Sequence, residues 1–151
     1  MKRSPTLQPL SREHNTALKL ARDARQAAAH GSEKEVAGVW RRLCRTWFTE
    51  MASHFRAEEE LLFPLLQAQG ETELVKQLLR EHQAMRRTLE DANRQDRARL
   101  DAIGNVLNDH VRREEREAFP KLEAYLSPET AERIDHGLAL TLASLKEKQA
   151  S

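Results

Sequence analysis

Apolar residues recur at helical spacing along most of the chain. Leu43, Trp47, Met51, Phe55, Leu62 and Leu65 fall on one side of a helix. Val75, Leu78, Met85 and Leu89 do the same further on, as do Leu100, Ile103, Leu107, Val111 and Ala118. Start and stop residues separate these stripes. Ser11 is a fitting N-cap and Gly31 a fitting stop, which predicts a first helix over 11–30. Ser32 with Glu35 forms the capping-box pattern that opens a second helix, over 32–69, ended by Gly70. A third is predicted over 72–93 and a fourth over 97–125. Pro64 and Pro120 lie near the ends of the second and fourth, where a proline kinks or loosens a helix. Ser127-Pro128 then starts a short fifth helix reaching about Lys148, read as a cover over one end of the molecule. Residues 1–9, with Pro5 and Pro9, read as an extended leader.

Four long helices joined by short loops lie antiparallel to their neighbours. The expected architecture is all-α: an up-down-up-down four-helix bundle over 10–126, with an extra C-terminal helix and tail over 127–151. Composition agrees. Ala, Leu, Glu, Arg and Gln dominate, and five Gly and five Pro are too few to interrupt the helices often.

Six polar residues break the apolar stripes. His14 lies between Leu10 and Leu18, His54 between Met51 and Phe55, and Glu58 between Phe55 and Leu62. His82 lies between Leu78 and Met85, His110 between Leu107 and Val111, and Glu114 runs on toward Ala118. They belong to an internal repeat. Residues 54–66 read HFRAEEELLFPLL and residues 110–122 read HVRREEREAFPKL, sharing H-x-R-x-E-E-x-x-x-F-P-x-L. R-E-H occurs at 12–14 and again at 80–82. The chain thus reads as two similar halves of two helices each. Residues four apart stack on one helix face, so His54 projects with Glu58 and His110 with Glu114. Their neighbours Glu59 and Glu115, rotated by about 100°, are expected at the solvent or a flank.

Burying four imidazoles and two carboxylates without partners costs several kcal/mol or more. A pair of cations compensates all six. Imidazole suits iron, zinc and copper, and added carboxylates shift the preference toward iron or manganese. One histidine on an apolar face is usually a hydrogen-bonded core residue, and one H-x-x-x-E is common on helix surfaces. Two copies, each preceded by a helix with its own stripe histidine, are far more specific.

These residues resemble the hemerythrin-like, or HHE cation-binding, domain: His14, the His54/Glu58 pair, His82 and the His110/Glu114 pair, with Phe63-Pro64 and Phe119-Pro120 as accompaniments. The resemblance covers about residues 10–126. It implies a four-helix bundle around a non-haem di-iron centre, its two iron ions bridged by carboxylates and an oxo group. His14, His54, His82 and His110 would be terminal ligands, and Glu58 and Glu114 bridging carboxylates. Oxygen-carrying members have a fifth histidine one turn from the third-helix ligand, where this chain has Leu78 and Arg86. Asn15 stands where many bacterial relatives have histidine. The four-His, two-Glu set is more similar to the branch associated with repair of damaged iron centres.

The remaining candidates read as structural. His30 is roughly 24 Å from His14 by helical rise and suits a helix C-terminus. His136 has no carboxylate at i+4, and Cys44 is roughly 15 Å along the helix from His54. Trp40 and Trp47 are expected to pack the bundle. Tyr125 approaches the site only if the tail folds back. Glu13 and Glu81, beside stripe histidines, are read as solvated charges, with a supporting role to the ligands as the alternative. The net charge of +1, from 25 basic and 24 acidic residues interleaved along the chain, argues against a nucleic-acid or membrane partner. A single cysteine and the lack of a secretory signal point to the cytoplasm. Three functions stay open: binding or sensing of a small ligand such as oxygen, nitric oxide or peroxide; an enzyme that reduces peroxide or nitric oxide, or that donates iron for repair; and a metal-free helical interaction module, with or without a protein partner.

Overall fold

The computed structural model describes residues 3–91 and 95–150, with 142–150 described by backbone alone. Helix α1 is Gln8–His30. Helix α2 spans 33–68, α3 is Thr72–Glu90, α4 spans 97–125, and α5 is Pro128–Ala150. No strand occurs among the described residues. The all-α bundle expected from the stripes is therefore present.

Several boundaries differ from expectation. Helix α1 starts at Gln8, so Pro9 lies in its first turn, where its missing N–H costs nothing, and Ser11 is not its cap. The leader is extended only at its start. Residues 5–7 form a turn, and Leu7 is fully buried. Helix α3 ends at Glu90, and Asn93 lies outside the described residues. The expected capping box of α2 is complete: Ser32 Oγ accepts from the Glu35 N–H, and the Ser32 N–H donates to the Glu35 carboxylate.

The two prolines act through wide turns. In α2, Trp47–Met51 and Glu58–Leu62 are π-helical; in α4, Glu114–Ala118 is. The Phe63 N–H reaches back five residues to the Glu58 carbonyl, and the Phe119 N–H to that of Glu114. Pro64 and Pro120 each lack an N–H and crowd the carbonyl four residues back, which a locally widened helix relieves. The extra residue shifts the register, so Leu66 rather than Leu65 is buried after the turn.

The core falls into two apolar clusters. One holds Trp40, Leu43, Trp47, Met85, Leu100, Ile103 and Leu107 with the alanine face of α1. The other holds Leu7, Leu10, Phe63, Leu66, Leu78, Phe119 and Leu122 with Ile134 and Leu138 of α5. Helices α1 and α4 approach most closely because Ala21 and Ala24 face Gly104, where a Cβ would lie 3.0 Å from the Ala21 carbonyl oxygen. Helix α5 has the same length as α1, 23 residues, so it is not short. It lies along the middle of α2, not over an end: Gly137 sits so close to Leu61 that a Cβ there would be 2.7 Å from Leu61 Cδ2.

Candidate metal centre

All six residues that break the stripes meet between the two apolar clusters. α1 supplies His14, α2 supplies His54 and Glu58, α3 supplies His82, and α4 supplies His110 and Glu114. Each is at least 94% buried, and Glu58, His82, His110 and Glu114 are fully so. Both wide turns tied to the F-P motifs begin at the inward glutamates. The motif therefore supplies the carboxylate and also the local backbone that carries it.

The imidazoles pair. His14 Nε2 lies 3.1 Å from His54 Nε2, and His82 Nε2 lies 3.1 Å from His110 Nε2. Glu58 reaches both pairs, with Oε2 3.2 Å from His54 Nε2 and Oε1 3.1 Å from His82 Nε2. Glu114 Oε1 is 2.9 Å from His110 Nε2 and 3.3 Å from His14 Nε2. Two four-residue groups result, His14/His54/Glu58/Glu114 and His82/His110/Glu58/Glu114, each with donor atoms within 4.8 Å of one another.

Each Nδ1 faces a further glutamate. His14 meets Glu115 at 3.1 Å, His54 meets Glu13 at 3.0 Å, His82 meets Glu59 at 2.7 Å and His110 meets Glu81 at 3.0 Å. Glu59 and Glu115 are thus not solvated flank residues, and Glu13 and Glu81 are not free charges. The glutamate next to one inward residue crosses to hold the histidine of a neighbouring helix. A carboxylate only accepts hydrogen bonds, so each Nδ1 donates and each neutral ring points an Nε2 lone pair inward.

Rings close the layer. Phe55 stacks on His82 at 3.9 Å and 2°, Phe63 packs against His82, and Phe119 stacks on His14 at 5.2 Å. A small cavity of about 10 Å³ remains beside the layer, bounded by His14, Met51, His54, Phe55, His110 and Glu114.

The electrostatics are those of a site built for positive charge. Burial and the Glu114 carboxylate push Glu58 up to about 8. Burial opposes a charged His110, but Glu114 and Glu81 override it and raise it to about 10. Burial likewise works against an ionised Glu114, yet the His110 charge holds it well below the usual carboxylate range. Burial would raise Glu59, but His82 and Arg86 bring it down to about 2. Without a metal, protons on Glu58 and His110 therefore balance the centre. They do so incompletely: Glu58 Oε2 and both Glu114 carboxylate oxygens are buried, and the close approaches of Glu58 Oε2 and Glu114 Oε1 to the imidazoles lack hydrogen-bond geometry. Orphaned carboxylate oxygens beside converging imidazole lone pairs fit bound cations, which satisfy both at once.

Compared with known protein families, residues 6–136 match the hemerythrin HHE cation binding domain. The chain belongs to this family. Neither curated proteins nor solved structures gave a match. The family is described by its cation binding, and the buried histidine and glutamate groups of this bundle fit a metal-binding site. The positions set aside stay apart from the HHE centre. His30 and His136 are exposed, Cys44 Sγ faces the Leu89 carbonyl, and Tyr125 is exposed. No helix among the described residues is long and apolar enough to cross a membrane.

Proposed function

We propose that this chain is a cytoplasmic non-haem di-iron protein whose centre binds or reacts with oxygen, nitric oxide or peroxide. One observation carries the reading: two histidine pairs share the same two buried glutamates, the arrangement that two bridged metal ions require. His14 and His54 would hold one iron, His82 and His110 the other, and Glu58 and Glu114 would span both. Bound iron supplies a redox-active Lewis acid able to take up a small oxygen or nitrogen ligand. The remaining work falls to the chain. The outer glutamates fix each imidazole, and Phe55, Phe63 and Phe119 exclude water. The cavity beside His14, His54 and His110 has room for about one water-sized molecule. That size favours a diatomic or peroxide ligand over an organic substrate.

The donor set of four histidines and two glutamates also keeps iron donation for repair as a second reading. A metal-free interaction module is disfavoured by the orphaned carboxylate oxygens. The test is anaerobic titration of the iron-loaded, reduced protein with nitric oxide, oxygen and hydrogen peroxide in turn. A saturable spectral change with at least one of them supports the proposal. An iron-loaded protein blind to all three refutes it.

A further inference from the structure

The two halves repeat in sequence but differ in what stands behind the outer glutamates. In the second half, Glu81 holds His110 and is itself held by Arg113, whose Nη2 lies 3.1 Å from Glu81 Oε2 and whose Nε lies 3.3 Å from the same oxygen. Glu59 holds His82 and is held by Arg86 at 2.8 Å. Both histidines of that pair therefore sit at the end of an Arg–Glu–His chain. The repeat gives the matching first-half positions. Aligning HFRAEE with HVRREE puts Ala57 where Arg113 stands, and aligning the R-E-H motifs puts Leu18 where Arg86 stands. Neither replacement can brace a carboxylate. Among the described residues, no Lys or Arg forms an ion pair with Glu13, which pairs with His54. Glu115 keeps Ser11, at 2.9 Å, and a long Arg3 contact of 3.9 Å.

Space is distributed in the same uneven way. His82 and His110 are fully buried, and His82 is packed against the rings of Phe55 and Phe63. A cavity of about 100 Å³ opens behind His54, between α1, α2 and α5, bounded by Glu13, Glu50, Ser53, Ala57 and Leu138. It lies where the alignment puts an arginine in the other half. His54 thus has an unbraced partner and room to swing.

We propose that the two metal positions are inequivalent, the His14/His54 position being the one that exchanges its ion and the His82/His110 position being locked by Arg86 and Arg113. Releasing an ion requires an imidazole to turn away, which first breaks its Nδ1 contact. An arginine that fixes the glutamate with charge-assisted hydrogen bonds makes that turn harder. A counter-effect exists: an unneutralised Glu13 makes His54 a stronger donor. Orientation outweighs it for exchange, because release is limited by ring motion and both arginines are only partly buried, which weakens their pull on the glutamate charge.

This inference rests on the two-ion reading, and one experiment separates the two. The full chain is loaded anaerobically with ferrous iron and mixed with excess of a coloured ferrous chelator, and iron removal is followed in time. Expected are two bound ions leaving in two equal phases, about tenfold or more apart in rate. Arg86→Leu with Arg113→Ala should speed the slow phase by about tenfold and leave the fast one unchanged, whereas Glu13→Gln should change the fast phase alone. Arg86 and Arg113 are about one-third exposed, so their loss spares the core. Two ions leaving at one rate, or a slow phase unmoved by the double arginine variant, overturns the inference and leaves the two-ion reading standing. Failure of the wild type to bind two ions overturns both.

Discussion

At the residue scale, the six inward groups were legible because each interrupts an apolar stripe, and a buried charge needs a reason. The four outer glutamates were legible only in part: a supporting role for Glu13 and Glu81 stood as the alternative, and Glu59 and Glu115 read as solvent or flank positions, since glutamate beside arginine on a helix usually reads as solvated surface. Their role depends on which neighbouring helix they cross to, which only the bundle geometry fixes. The repetition of R-E-H and E-E in both halves was the available signal. Glu58→Ala or His110→Ala should leave fewer than two metal ions per chain by elemental analysis and remove the stabilisation that loading gives. A variant that retains two ions would take that residue out of the ligand set. The pH dependence of the metal-free protein follows from Glu58, raised from 4.5 to about 8, and His110, raised from 6.5 to about 10. A group with a raised folded value contributes stability that is present below its unfolded value and lost as pH rises through the folded one. Melting of the metal-free protein should therefore fall between about pH 4.5 and 10, first through Glu58 and then through His110. In the loaded protein, cations replace those protons and the decline should vanish. Equal slopes in both forms would contradict the proton-for-metal exchange.

At the element scale, helix number, order and most starts were readable from periodicity and caps. The wide turns were not, because the stripe assumes a constant 3.6-residue turn. F-P marked two of the three places where a helix widens, but not that it widens by one added residue, and so Leu65 stood in for Leu66. The start of α1 falls earlier than Ser11 because the first helical turn accepts proline, so Pro9 belongs to the helix and not to an extended leader. Close packing of α1 on α4 gives a sharp test at Gly104. Alanine is the better helix former by about 1 kcal/mol. Its Cβ, however, would meet the Ala21 carbonyl oxygen at 3.0 Å and Arg25 Cγ at 2.9 Å, and only the arginine can move easily. Overpacking of about 1–3 kcal/mol should win, so Gly104→Ala should lower stability in urea unfolding. A stabilised variant would show that the two helices can spread without loss.

At the scale of the whole molecule, two apolar clusters hold a polar layer between them, and helix α5 is fastened along the side of α2. The clusters supply the stability that lets the layer between them stay polar, and the layer in turn costs stability unless cations occupy it. The placement of α5 was not readable, because its amphipathic face shows that it packs somewhere but not where. Gly137 against Leu61 fixes it beside the His54 side of the centre. We propose that this layer is a two-iron site. Its most direct test is the iron content and ultraviolet–visible spectrum of protein purified without oxygen, then exposed to air. Two irons per chain and ferric bands that grow in air are expected. A folded, colourless protein that takes up no iron on reconstitution would contradict the proposal.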